Sequence, residues 1–301
     1  RIFIYQLSPV LMAFSGIILS KIKKIETIMY VLDMWPQNLY AILDIRNKVV
    51  KRFIEKVSLW HYCNVDKIMV PSKRMRDYYV SKLNFSENNI VYIPQCCEAV
   101  YEKKVLNLEL KKRFQNGFNI VFTGNISPAQ SFETIINAAI SLKAQGIKDI
   151  NWIIVGDGMS RREVEDSVVR NGLIDNFFFE GFHPKEKIPE YMCIADALIG
   201  CLSKNELQDF YIPAKIMSYF AAGKPILLAM DGEVRDIVKE ADCGYTCASE
   251  DCDTLQKNIL KLYEMSENER DNLGNNAYLY HNKYFNRNEN IKEILKFMFP
   301  T

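Results

Sequence analysis

Short apolar runs recur along the whole chain. Each ends in a polar, proline or glycine turn and gives way to a segment with helical spacing. Ile2–Leu7 opens the chain inside such a run, and Thr27–Leu32, Lys67–Pro71 and Asn89–Pro94 follow. Later come Asn119–Thr123, Trp152–Val155, Asn176–Glu180, Ala195–Cys201 and Ile226–Met230. Continuous hydrophobicity predicts strands buried on both faces, and alternation of strands with helices predicts parallel sheets. Ser72 is read as the N-cap of a helix over Lys73–Leu83. Leu7–Leu19 is read as a buried helix starting at Ser8-Pro9. Its thirteen residues fall short of the roughly twenty that span a bilayer. The stretch Leu255–Phe299 alternates apolar and charged helical faces. Arg1 precedes a strand directly, which is read as a chain lacking the start of its N-terminal domain.

Asn205–Glu233, NELQDFYIPAKIMSYFAAGKPILLAMDGE, carries the sharpest chemistry. Pro213 starts a short helix, Lys215 sits in its first turn, and Ala221-Ala222-Gly223 ends it. A helix N-terminus exposes unpaired N–H groups and the positive dipole end, so a lysine there makes a receptor for a diphosphate. The plain alternative is a loop–helix–strand connection with one solvated lysine. Two further strand ends point the same way. Gly124-Asn125 follows Asn119–Thr123 and leads to a helix near Ser131, which is the usual phosphate-approach unit. Gly156-Asp157-Gly158 follows Trp152–Val155 as a tight turn. Asp33 is released at the end of an apolar strand that Trp35-Pro36 stops, where open α/β sheets place ligands.

Around Pro213-Ala214-Lys215 the chain resembles glycosyltransferase family 4, retaining transferases with two Rossmann-like domains. Asp33-Met34-Trp35-Pro36, Pro94-Gln95-Cys96-Cys97-Glu98 and a tyrosine ahead of Ala221–Pro225 are similar to its bacterial capsule and O-antigen subgroup. A family Glu-x7-Glu pair is altered here. Its second glutamate, a ribose ligand, falls on Ser218, and its first falls on Phe210, with Glu206 and Asp209 just before it. The histidine that many relatives carry before the aspartate is Leu32. Where relatives often place a cation near the first glycine turn, this chain has Asn125 and Gln130.

The resemblance implies an α/β fold of GT-B type, two Rossmann-like parallel-sheet domains facing across a cleft, the N-terminal one incomplete. Its expected parts are an acceptor-side domain over 1–94, a linker over 95–117, a nucleotide-sugar-binding domain over 118–280, and a helix over 281–301 crossing back to the first domain. It implies a metal-independent retaining hexosyl- or N-acetylhexosaminyltransferase that uses a nucleotide sugar, with UDP expected. The expected catalytic residues are Lys215 and Asp33. Gly124, Asn125, Gln130, Gly156, Gly158, Phe182, Pro213, Lys215, Ser218 and Glu233 are the expected donor contacts, and Phe182 lies where the family backbone reads the base. No metal ligand and no cofactor are expected. The alternatives are a sugar-nucleotide epimerase of similar shape and a non-catalytic nucleotide-sugar-binding subunit.

Charge adds a partner. Residues 1–82 carry fourteen Lys/Arg and six Asp/Glu, net +8. The remainder has 24 basic and 31 acidic residues, net −7. Within the basic part, Val49, Val50, Phe53, Ile54, Val57 and Trp60 repeat at helical spacing beside Arg46, Lys48, Lys51, Arg52 and Lys56. Arg46–Trp60 is therefore read either as a basic amphipathic helix on an anionic membrane or as a core-packed helix with a solvated face. With no recognised nucleic-acid motif, the expected partners are a nucleotide sugar, a lipid-linked glycan acceptor and an anionic membrane surface, not nucleic acid. The expected place is cytoplasmic, peripheral on the inner face of the membrane. Eight cysteines without a CxxC spacing are read as free thiols. Cys243, Cys247 and Cys252 fall in one turn-rich region, and His61, His183 and His281 are read as scattered.

Overall fold

The computed structural model describes residues 1–43 and 45–300, with only the backbone described at 41, 42 and 206. The chain forms two compact units. One comprises Arg1–Gln95, Asp209–Ile212 and the residues from Asn288 onward; the other comprises Cys96–Gln208 and Pro213–Arg287.

In the first unit, β1 (Ile2–Gln6) leads to α1 (Phe14–Lys23) and β2 (Thr27–Val31). Then come α2 (Gln37–Ile42), α3 (Lys48–Cys63), β3 (Lys67–Val70), α4 (Lys73–Leu83) and β4 (Ile90–Tyr92). The four strands pair in parallel in the order β1-β2-β3-β4. β2 is buried along its whole length, as its uninterrupted hydrophobicity requires. Ser72 caps α4 by accepting the Met75 N–H at 3.0 Å. One helix departs from expectation, and the reading of a second is settled in part. α1 was read as buried, yet Phe14, Ile18, Leu19 and Ile22 are exposed, and only Ile17 and Ser20 are buried. One sheet face can cover one helix face, so an all-round apolar helix beside it leaves the rest open. In α3, read either way, the stripe is split: Val49 and Phe53 are 76% and 67% exposed, while Ile54 and Val57 are half-buried.

The second unit begins with α5 (Leu108–Arg113), β5 (Phe118–Thr123), α6 (Phe132–Ala144), β6 (Ile150–Val155) and α7 (Arg161–Arg170). It continues through β7 (Phe177–Gly181), α8 (Ile188–Cys193), β8 (Ala197–Cys201), α9 (Ala214–Ala222) and β9 (Ile226–Ala229). It closes with α10 (Glu233–Glu240), β10 (Gly244–Cys247), α11 (Cys252–Glu264), α12 (Glu267–Tyr280) and one turn of π-helix over His281–Phe285. α13 (Arg287–Met298) follows and places Ile294, Phe297 and Met298 against Ile28, Tyr30 and Met69 of the first unit's sheet. The six strands are parallel, in the order β10-β9-β8-β5-β6-β7. Chain order reverses between β5 and β8. The crevice beyond their carboxyl ends is the switch point where such sheets bind ligands. Phe122, Phe132, Ile135, Trp152, Ile154 and Leu255 are among the side chains filling the core beneath it.

Candidate functional site

The turns after three neighbouring strands are joined by backbone hydrogen bonds. Gly124 N–H donates to Val155 O at 2.9 Å, Ile126 N–H to Asp157 O at 2.9 Å, and Gly156 N–H to Gly181 O at 2.8 Å. This lattice leaves no space for side chains. A Cβ on Gly156, whose φ is +147°, would stand 1.9 Å from the Gly124 carbonyl oxygen. One on Gly124, with φ +133°, would stand 3.3 Å from Lys215 Nζ. The glycines thus serve close approach, of backbone to backbone and of backbone to lysine.

α9 is locked above this floor. Its residues Ile216 to Ala221 are all buried, so the helix has no solvent face along that run. The Tyr219 hydroxyl accepts the Thr123 N–H and donates to Ile199 O, both at 3.1 Å, tying α9 to the end of β5 and the middle of β8. That fixes where Lys215, one turn earlier, can reach. Lys215 is half-buried, not the solvated lysine of the plain alternative. Its ammonium donates to Gln130 Oε1 and lies 4.0 Å from the centroid of the Phe122 ring. Burial without a carboxylate partner pulls its pKa down from 10.5 to about 7. A dianionic group placed beside it would favour the protonated form again.

These groups wall a cavity of about 780 Å³, within the range of small-molecule sites. Among the expected residues, Gly124, Asn125, Gly156, Phe182, Lys215 and Ser218 line it. Phe182 is 77% exposed at its edge. The Ser218 hydroxyl donates to Lys215 O at 2.7 Å. Gln130 acts through Lys215, and Pro213 is the N-cap residue of α9. Gly158 stands under Asn125, where a Cβ would meet Asn125 Oδ1 at 2.4 Å. Glu233, buried as the first residue of α10, is outside the lining. The lining also includes Cys96, Cys97, Glu98, Tyr101, His183 and Lys185, which sequence reading did not select. Lys185 pairs with Glu98, and His183 Nε2 lies 3.0 Å from the Tyr191 hydroxyl. Their signal was a charged cluster, Lys185-Glu186-Lys187, just after β7. A second cleft of about 720 Å³ offers only Arg170 against Glu133, Glu163 and Glu250, a poorer receptor for an anion.

Asp33 and Phe210 belong to the first unit. Asp33 lies just beyond β2, half-buried, and its Oδ2 accepts the Ser8 N–H at 2.7 Å. Phe210 and Tyr211 pack on that unit's core, and Ser72 Oγ donates to Phe210 O at 2.8 Å. The side chain of Glu206 lies outside the described residues. All eight cysteines are free. Cys243 and Cys247 are buried, and the described residues that come together with metal-ligand spacing are Cys97, Glu102 and His281.

The sequence pattern described as Glycosyl transferases group 1 matches residues 109–280. A 2-deoxystreptamine glucosyltransferase of Streptomyces kanamyceticus is 31% identical over 147 residues, 43% of this chain and 38% of its own length. The amylovoran biosynthesis glycosyltransferase AmsK of Erwinia amylovora is 23% identical over 162 residues, covering 54% of this chain and 40% of its own. The chain therefore spans well under half of each of these relatives. The crystal structure of Anabaena Alr3699/HepE in complex with UDP is similar at TM-score 0.78 and 16% identity. It covers 99% of this chain and 78% of that one, and the likeness shows the fold, that of the GT-B glycosyltransferases.

Proposed function

This chain belongs to the group 1 glycosyl transferases, and from that premise we propose that it transfers a sugar from a UDP-sugar, held in the second unit, to an acceptor. The observation that carries this reading is Lys215: a lysine desolvated without an anionic partner, at the switch point of a parallel sheet, facing a glycine turn. The departing nucleoside diphosphate gathers negative charge as the glycosidic bond breaks. A preorganised ammonium and backbone N–H groups stabilise that charge more than they stabilise the ground state. Departure and attack on the same face would give retention. A UDP-bound structure among those of similar fold supports the nucleotide.

In this reading Gly124, Asn125 and Gly156 form the diphosphate floor, Phe182 borders the base, and Ser218 stands where a ribose contact is needed. Asp33 is the candidate carboxylate of the first unit. Lys215 takes the role a metal has in other transferases, so turnover with a matched acceptor should persist in excess EDTA. If activity vanished with chelator and returned with magnesium or manganese, metal independence would be wrong. The acceptor is proposed to be a lipid-linked glycan in surface-polysaccharide synthesis, in keeping with the amylovoran relative. The exposed α3, with α1 beside it in the same unit, would dock on the inner membrane face. The deciding measurement is calorimetric titration with a panel of nucleotide sugars. The reading expects saturable UDP and UDP-sugar binding. The reading fails if no nucleotide diphosphate binds.

A further inference from the structure

The chain enters the second unit through Cys96–Glu102, whose end is a short 3-10 turn, Ala99–Glu102, packed on α9. After α12 it makes the π-helical turn His281–Phe285, which also packs on α9. Single π-turns are rare and concentrate at functional sites. Here the two segments bring one ligand atom each of Cys97, Glu102 and His281 within 4.8 Å of one another. Cys97 and His281 are buried, and Glu102 opens to solvent with 37% of its side chain exposed.

His281 is fully enclosed, yet neither of its ring nitrogens has a hydrogen-bond partner. Glu102 Oε1 lies 3.5 Å from Nε2, at ion-pair distance but too long for a well-formed hydrogen bond. A buried imidazole with both nitrogens unsatisfied is destabilising unless something else meets it. We propose that Cys97, Glu102 and His281 form a binding site for a borderline divalent cation, zinc being the best match, which ties together the two turns packed on α9 and leaves one coordination position open.

The chemistry of the three donors selects the ion. Thiolate, imidazole and carboxylate together suit zinc and exclude magnesium and calcium, which take oxygen ligands. Three protein ligands and an open position make a familiar zinc arrangement. With bonds of roughly 2.0 to 2.3 Å, tetrahedral ligand atoms stand about 3.5 Å apart, so modest side-chain rotations close the present spacing. Binding replaces the Cys97 thiol proton by the metal: the S–H bond breaks, an S–Zn bond forms, and one proton leaves to solvent.

Cys97 also lines the donor cavity, but Glu102 and His281 lie outside its lining and Lys215 is not one of the three ligands, so failure of the metal site would leave the reading of Lys215 standing. The test is a titration of the chelator-stripped, desalted full chain with cobalt(II) under a non-thiol reductant. Visible tetrahedral bands and a near-ultraviolet thiolate-to-cobalt band should saturate at one equivalent, and zinc should bleach them. Cys97→Ser should abolish the thiolate band. Glu102→Gln, at an open position that tolerates change, should weaken cobalt binding more than about tenfold. Cys63→Ser and Cys252→Ser should leave the spectrum intact. Zinc should raise the melting temperature of the parent chain and not of Cys97→Ser. Absence of the thiolate band, its survival in Cys97→Ser, or unchanged affinity in Glu102→Gln would overturn the proposal.

Discussion

α3 and α9 both present cations from helices, and the structure treats them in opposite ways. α3 holds Lys48, Arg52 and Lys56 in solvent beside exposed Val49 and Phe53, and Lys51 lies 5.2 Å from the Tyr40 ring centroid. α9 is buried along most of its length, and its one lysine is half-buried against Phe122 and Gln130. The difference is the solvent. A hydrated charge acts through a screened, additive field, so many are needed and salt removes the effect. A desolvated charge raises the energy of the empty site and is sensitive to a single well-placed anion.

The largest effect should come from the exposed helix, because its charges act together. Replacing Lys48, Lys51, Arg52 and Lys56 by glutamine should remove on the order of 1 kcal/mol each at an anionic leaflet, about a thousandfold in partition. Flotation with anionic liposomes at low salt should then fail, while UDP binding is kept. Equal recovery of parent and variant would return α3 to a merely solvated helix.

Lys215→Met comes next. Loss of a charge-assisted contact of about 1.5 to 3 kcal/mol should weaken UDP binding roughly ten- to a hundredfold in calorimetry. Fold stability near neutral pH should hold or rise, since a desolvated ammonium is exchanged for an apolar chain. A variant that binds UDP as the parent does would break the comparison at its strong end.

The pH dependence sharpens the same contrast. The folded-state pKa of Lys215, about 7, is below its ordinary 10.5, so between these values the unfolded chain holds a proton that the folded chain has released. That lysine's contribution to stability is therefore least favourable below about pH 7 and improves as pH rises toward 10.5. UDP affinity should run the other way, falling above about pH 7 by up to about tenfold per pH unit, with proton uptake on binding. Lys215→Met should flatten both slopes, as chemical denaturation and calorimetry across pH would reveal.

The smallest effect is expected at Lys185. It is an exposed cation already paired with Glu98 on the cavity wall, so Lys185→Gln should change UDP affinity only a few-fold, and less at high salt. A loss as large as that at Lys215 would show that exposure does not set the scale.

Local rules carried much of this protein. Uninterrupted apolar runs marked the strands because a strand between helices is covered on both faces, and β2 and β5 are buried throughout. Ser72 as a cap, Pro213 at the start of α9 and the glycine turns at 124 and 156 follow from backbone sterics and unpaired N–H groups, which depend on near neighbours alone. Desolvation and juxtaposition were decided only by the fold. No local feature announces that Lys215 lies on Phe122, ninety-three positions earlier, or that Tyr219 ties α9 to two strands. None announces that Phe210 packs with one unit while Ser218 lines the cavity of the other. His281 stands 184 positions after Cys97, yet the two share a cluster with Glu102 because the 3-10 turn and the π-turn both pack on α9. Spacing along a chain constrains a few residues. Which distant groups lose their water together depends on how elements pack, and that is settled in three dimensions.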